Sequence, residues 1–146
     1  MIRIVQTINL YVLPSRVWSH FGAFKAIGDW HPAVSSVAMS VVNGLERRTL
    51  TLADGAFLIE DRIDDGSDPL SYEYRIVEGP LPVANYTSRF SVAGDKTGSQ
   101  ITWSGSFKPV GVENVVAEAV VTSIYKDGLN AIAGCVSSNP LIFNDK

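Results

Sequence analysis

Cysteine is almost missing from this chain: Cys135 stands alone among 146 residues, which excludes an internal disulfide. Histidine is nearly as scarce, and His20 and His31, well separated and joined by only one cysteine, do not make a zinc site. No glycine-rich phosphate loop of either common form occurs, and no nucleophile elbow supports a Ser-His-Asp system. Positive charge is not in excess either, with 12 Lys and Arg against 15 Asp and Glu for a net charge of −3. A nucleic-acid surface needs a clustered surplus of Lys and Arg, so that function is excluded, and the Arg47-Arg48 pair is too short to change this. No run approaches the roughly 20 apolar residues of a membrane span. Residues 2–12 mix Arg3, Gln6 and Asn9 into the apolar positions, unlike a signal peptide. A cytoplasmic protein is therefore expected, with the sequon Asn85-Tyr86-Thr87 a chance match.

What is present is a globular composition, 46% hydrophobic and 18% charged, of a length that suits one domain over residues 1–146. Ile2, Ile4, Ile8, Leu10 and Val12 alternate as in a half-buried strand. Pro14 suits the first turn of a helix, and Val17, Trp18, Phe21 and Phe24 follow at helical spacing. Residues 14–27 thus read as one or two short helices, with breaks at Gly22 and Gly28. Six strands are then punctuated by turn chemistry: 34–42, 47–52, 57–63, 70–77, 84–92 and 101–107. Asn43-Gly44 and Asp54-Gly55 are the strongest hairpin signals because these residues tolerate positive φ. Connections this short require antiparallel pairing.

Residues 112–137 read as one long helix, with Val121, Tyr125, Leu129, Ile132 and Val136 as the stripe facing the sheet. Glu113, Glu118, Lys126 and Asn130 take the outer side. Cys135, late in this helix, reads as a buried small hydrophobe, with a reactive thiol as the alternative. Gly128 and Gly134 lie in the helix interior, where each costs about 1 kcal/mol relative to alanine. Two readings are open: close helix–sheet contact, or a void left by small side chains. A strand, two short helices, six strands and a last helix against a cavity make an α+β helix-grip plan: a curved antiparallel sheet of about seven strands wrapped around the final helix.

Several segments look familiar in the same order. Pro14-x-x-Val17-Trp18, Trp30-His31-Pro32-Ala33-Val34 and Arg48-Thr49-Leu50-Thr51-Leu52-x-x-Gly55 resemble the polyketide cyclase/dehydrase branch of the SRPBCC superfamily. So do Glu60, Tyr72-x-Tyr74, Gly79-Pro80-Leu81-Pro82-Val83-x-Asn85-Tyr86, Trp103, Phe107 and Tyr125-x-x-Gly128-Leu129-x-x-Ile132. That superfamily also holds START lipid-transfer and pollen-allergen domains. The resemblance implies a cavity under the last helix and small-molecule binding; family members include aromatase/cyclases and carriers of lipids and hormones. The turn between Val42 and Arg47 is shorter here than in many relatives.

Candidate site residues follow from strand faces. Tyr72, Tyr74 and Ile76 share one face, as do Tyr86, Ser88, Phe90 and Val92, and Ile101, Trp103 and Phe107. Tyr74, Tyr86 and Trp103 can orient a ligand through their polar tips or simply pack the core. Arg48 shares its face with Leu50 and Leu52, so it needs an acid, and Glu60 one strand away is the natural partner. That pair is either a structural salt bridge or an anchor for a ligand carbonyl or carboxylate. Hydrophobic parity alone groups Glu60 with Ala56, Leu58 and Arg62 on the solvent side, whereas the resemblance implies that Glu60 faces the cavity. His31 is the candidate general base, because imidazole titrates near neutrality; its alternative role is to shape the loop by bonding backbone. Trp30 beside it and Tyr125 on the helix stripe complete the ligand-facing set.

Three functions remain. The first is cofactor-independent binding of a small apolar or aromatic molecule, with Arg48, Glu60 and His31 as polar anchors. The second is a polyketide-type cyclase or dehydratase in which His31 or Glu60 moves protons. The third is a non-catalytic protein-interaction domain. No metal or cofactor is expected, and the oligomeric state is open, a homodimer included.

Overall fold

Alternation builds the first element: in β1 (Ile2–Leu10) Ile2, Ile4, Ile8 and Leu10 turn inward while Arg3, Val5, Thr7 and Asn9 are exposed. The structure is a computed structural model and describes residues 1–143. Pro14 opens α1 (Pro14–Phe21), a 3₁₀ turn spans Phe24–Ala26, and α2 covers Ile27–Trp30. Gly22 caps α1 as expected, but Gly28 lies inside α2 and is not a break. A Cβ there would meet Val37 Cγ2 at 2.7 Å, so this glycine permits close approach of α2 to the sheet.

The six-strand series holds, with longer strands at its end: β2 (Val34–Val42), β3 (Leu45–Leu52), β4 (Phe57–Arg62), β5 (Ser71–Glu78), β6 (Val83–Asp95) and β7 (Gly98–Pro109). Asn43 and Gly44 have φ of 52° and 79°, the mirror-image turn that matches strand twist. The segment 94–98 is mostly ladder, because Gly94 pairs with Ser99 and Asp95 with Gly98, leaving only Lys96 and Thr97 as the loop. A register shift between Ala84 and Thr87 marks a bulge, with Asn85 at φ 53°. The sheet is antiparallel in the order β1-β7-β6-β5-β4-β3-β2.

The last helix, α3 (Asn114–Ser138), lays Ala117, Val121, Tyr125, Gly128, Leu129 and Ile132 into the core, as the stripe required. Cys135 is only half-buried. A short α4 (Pro140–Phe143) follows, and Phe143 stacks on Phe21 with ring centroids 5.7 Å apart; no periodicity announced so short an element. The two helix glycines separate. A Cβ on Gly128 would come within 2.7–2.9 Å of His31, Trp103 and Trp30, whereas nothing lies within 4 Å of one on Gly134. Close contact is thus the reason for Gly128, and neither glycine creates the void. No helix among the described residues is long and apolar enough to cross a membrane.

Candidate functional site

Register places the first polar pair. Arg48 on β3 is directly opposite Glu60 on β4, as Leu50 is opposite Leu58, and cross-strand partners share a face. Glu60 and Leu58 therefore point inward, and Phe57, 62% exposed, points out. The solvent-side reading from hydrophobic parity is corrected here. It failed because the outer face carries the apolar Phe57 and Ile59, exposed and half-buried, beside an Asp61 that is covered by ion pairs with Arg47 at 2.7 Å and Arg75 at 3.5 Å.

Arg48 Nε donates to Glu60 Oε1 at 2.8 Å, and Nη1 donates to the Phe24 carbonyl at 2.7 Å and the Tyr72 hydroxyl at 3.3 Å. The guanidinium carbon lies 4.1 Å from the Phe24 ring centroid and 4.7 Å from that of Tyr74, so π faces replace part of its lost hydration. Burial opposes the Arg48 charge, but the oxygens of Tyr72, Glu60 and Tyr74 outweigh it and hold the guanidinium protonated. Burial pushes the Glu60 carboxyl up, against the pull of Arg48. No protein hydrogen bond reaches Glu60 Oε2 among the described residues.

A chain of buried hydroxyls continues the site. The Trp103 indole N–H points at Tyr74 OH and Ser88 Oγ, each 3.1 Å away. Tyr74 OH is 3.1 Å from Tyr86 OH, which bonds Tyr125 OH in turn. Tyr125 OH is 2.9 Å from Ser88 Oγ, and Ser88 donates to the Ser104 carbonyl at 2.8 Å. Burial raises the phenol pKa of Tyr74, Tyr86 and Tyr125, keeping them neutral. Tyr125 also stacks on Trp103 with centroids 4.4 Å apart and ring planes 17° apart. Tyr86 lies within the β6 bulge between Ala84 and Thr87, and its ring is buried in the core.

His31 follows α2 and is 4% exposed. Its Nε2 is 2.8 Å from the Ile124 carbonyl, and its Nδ1 accepts the Ala33 N–H at 3.1 Å. A carbonyl only accepts, so Nε2 carries the proton and Nδ1 uses its lone pair on backbone. Burial, partly offset by the Ile124 bond, lowers the His31 pKa. The ring is neutral and spans from loop to helix.

Between these groups lies a cavity of about 240 Å³. Glu60, Tyr74, Tyr86, Trp103 and His31 line it, together with Ile27, Ala33, Val34, Leu50, Leu52, Leu58, Leu81, Val120 and Ile124. Five of the sequence candidates thus meet at one space. Trp30, Arg48 and Tyr125 do not line it: Arg48 lies behind Phe24 and the tyrosines, Tyr125 behind Trp103, and Trp30 against Phe90 and Trp103. Sequence reasoning missed the aliphatic wall, although Leu58 shares the Glu60 face, and Val120 and Ile124 precede the glycine-bearing half of α3. No group of three His, Cys, Asp or Glu that could hold a metal ion occurs among the described residues.

Comparison with known proteins agrees with this architecture. The family model described as polyketide cyclase/dehydrase and lipid transport matches residues 1–134. The protein XoxI of Bacillus cereus is 31% identical, with 90% of this chain and 93% of that one covered and a TM-score of 0.80. The ZhuI aromatase/cyclase of Streptomyces sp. R1128 is 14% identical with a TM-score of 0.72, covering 94% of each chain. A START superfamily protein of Mycobacterium smegmatis is 12% identical with a TM-score of 0.74, covering 93% of this chain and 97% of that one. The last two likenesses carry the fold alone. No curated protein matches the chain.

Proposed function

This chain belongs to the polyketide cyclase/dehydrase and lipid transport family, and from that premise we propose that it binds one compact, largely apolar molecule between the sheet and α3 without a cofactor. The observation that carries this reading is the cavity itself: an aliphatic and aromatic wall around a single buried carboxylate, Glu60. An apolar pocket with few polar groups is the usual form of a small-molecule site. Its volume of about 240 Å³ is below the roughly 300–1,000 Å³ typical of drug-sized ligands. A one- or two-ring compound fits that space, and a long acyl chain or a four-ring polyketide does not.

Glu60 is the polar anchor in this reading, Arg48 holds its carboxylate from behind, and His31 pins α2 to α3. Native mass spectrometry of freshly purified protein is the test: a small molecule that leaves on denaturation supports the proposal. Protein that is free of added mass, and whose Leu50, Leu58, Val120 and Ile124 amide signals do not respond to any one- or two-ring aromatic, overturns it.

A second reading, a cyclase or dehydratase, draws on one observation. Glu60 has an oxygen free of protein donors and a carboxyl raised by burial, as a proton-moving group requires. Glu60→Gln with unchanged ligand affinity and lost turnover of an identified substrate supports it; unchanged turnover removes Glu60 from the chemistry. His31 has no free lone pair and is not assigned the base. No observation favours the protein-interaction reading.

A further inference from the structure

The hydroxyl chain behind the cavity has a direction. The Ser104 carbonyl accepts the Ser88 proton, so Tyr125 must donate to Ser88, Tyr86 to Tyr125, and Tyr74 to Tyr86. At the other end the Trp103 N–H, which can only donate, reaches Tyr74 and Ser88, in agreement with that order. Every hydroxyl proton is consumed within the protein. What Tyr74 and Tyr86 offer to the cavity is lone pairs.

The remaining polar side chains of the wall agree. Arg48 occupies Glu60 Oε1 and leaves Oε2 without a protein donor among the described residues. His31 spends both nitrogens on backbone. With Glu60 held as a carboxylate by the Arg48 guanidinium at 2.8 Å, every lining side chain with hydrogen-bonding capacity left is an acceptor.

We propose that this cavity selects its ligand by a hydrogen-bond donor: a compact neutral molecule carrying a hydroxyl or N–H, placed against Glu60 Oε2 or a Tyr74 or Tyr86 oxygen. This rests on the cavity being the ligand site. A ketone or ether of the same shape brings an acceptor to a wall of acceptors and loses its water without replacement. A carboxylate in addition meets the charge of Glu60.

A matched set separates the two layers of the argument: 1-tetralol donates, 1-tetralone only accepts, and tetralin does neither. Calorimetry and amide NMR shifts of Leu50, Leu58, Val120 and Ile124 report affinity and location. The expected result is 1-tetralol bound about tenfold or more tighter than 1-tetralone, the scale of one good hydrogen bond. Equal or tighter binding of 1-tetralone overturns donor selection while leaving the cavity as a site. No binding by any of the three overturns the cavity reading and this inference with it.

Discussion

Arg48 and Glu60 face each other across β3 and β4 at 2.8 Å with 0% and 4% of their surfaces exposed. A pair this buried exchanges a large desolvation cost for a short contact, and its value appears when one member is removed. Glu60→Ala leaves an uncompensated guanidinium inside and should cost about 3–5 kcal/mol. Replacing both, as Arg48→Met with Glu60→Leu, should recover most of that loss. Urea unfolding of the three variants measures it, and a double variant no better than Glu60→Ala contradicts the account.

His31 supplies a pH dependence whose sign is set by burial. Its folded pKa lies below the ordinary histidine value of about 6.5, so the unfolded chain binds more protons as pH falls under that value. Stability should begin to decline as pH drops through 6.5 and continue until the folded value is passed. His31→Gln should flatten that limb. Unfolding free energies measured from pH 7.5 down to 5 test this, and a parent curve flat across the range contradicts it.

The two glycines of α3 should respond oppositely to the same substitution. Gly134→Ala meets nothing within 4 Å and should stabilise by about 0.5–1 kcal/mol through helix propensity. Gly128→Ala drives a methyl group into His31, Trp103 and Trp30, and overpacking of this kind costs about 1–3 kcal/mol. Thermal melts of both variants should move in opposite directions. A rise in Tm for Gly128→Ala would show that the contact relaxes at little cost.

Val120 lines the cavity from α3 and is only half-buried. Val120→Phe fills part of the space without touching a hydrogen bond. It should keep the melting temperature within a few degrees of the parent and abolish the ligand signal in native mass spectrometry. Retained ligand with a folded variant would place the molecule elsewhere.

Most of the architecture is legible in the sequence alone. The strand from Val34 to Val42 and its Asn43-Gly44 turn are local facts, as is the stripe from Val121 to Ile132, since side-chain period and turn stereochemistry depend on near neighbours. The pairing of Arg48 with Glu60 was also readable, because a charged residue on an apolar face demands an opposite charge nearby. Resemblance added the inward Glu60, which hydrophobic parity denied.

Tertiary structure decided what depends on distant residues. Asp61 looked like the misfit on its strand until Arg47 and Arg75 were seen to bury it on the outer face. His31 read as a base on residue type, and only the Ile124 carbonyl, 93 positions away in the chain, showed its nitrogens occupied. Arg48, Trp30 and Tyr125 were drawn to the cavity by chemistry but stand behind its wall, since a sequence pattern gives a face and not a depth. The helix-grip fold was written in periodicity and turns, whereas the cavity and its unpaired oxygen arise where β3, β4, α2 and α3 meet, through contacts that no local pattern encodes.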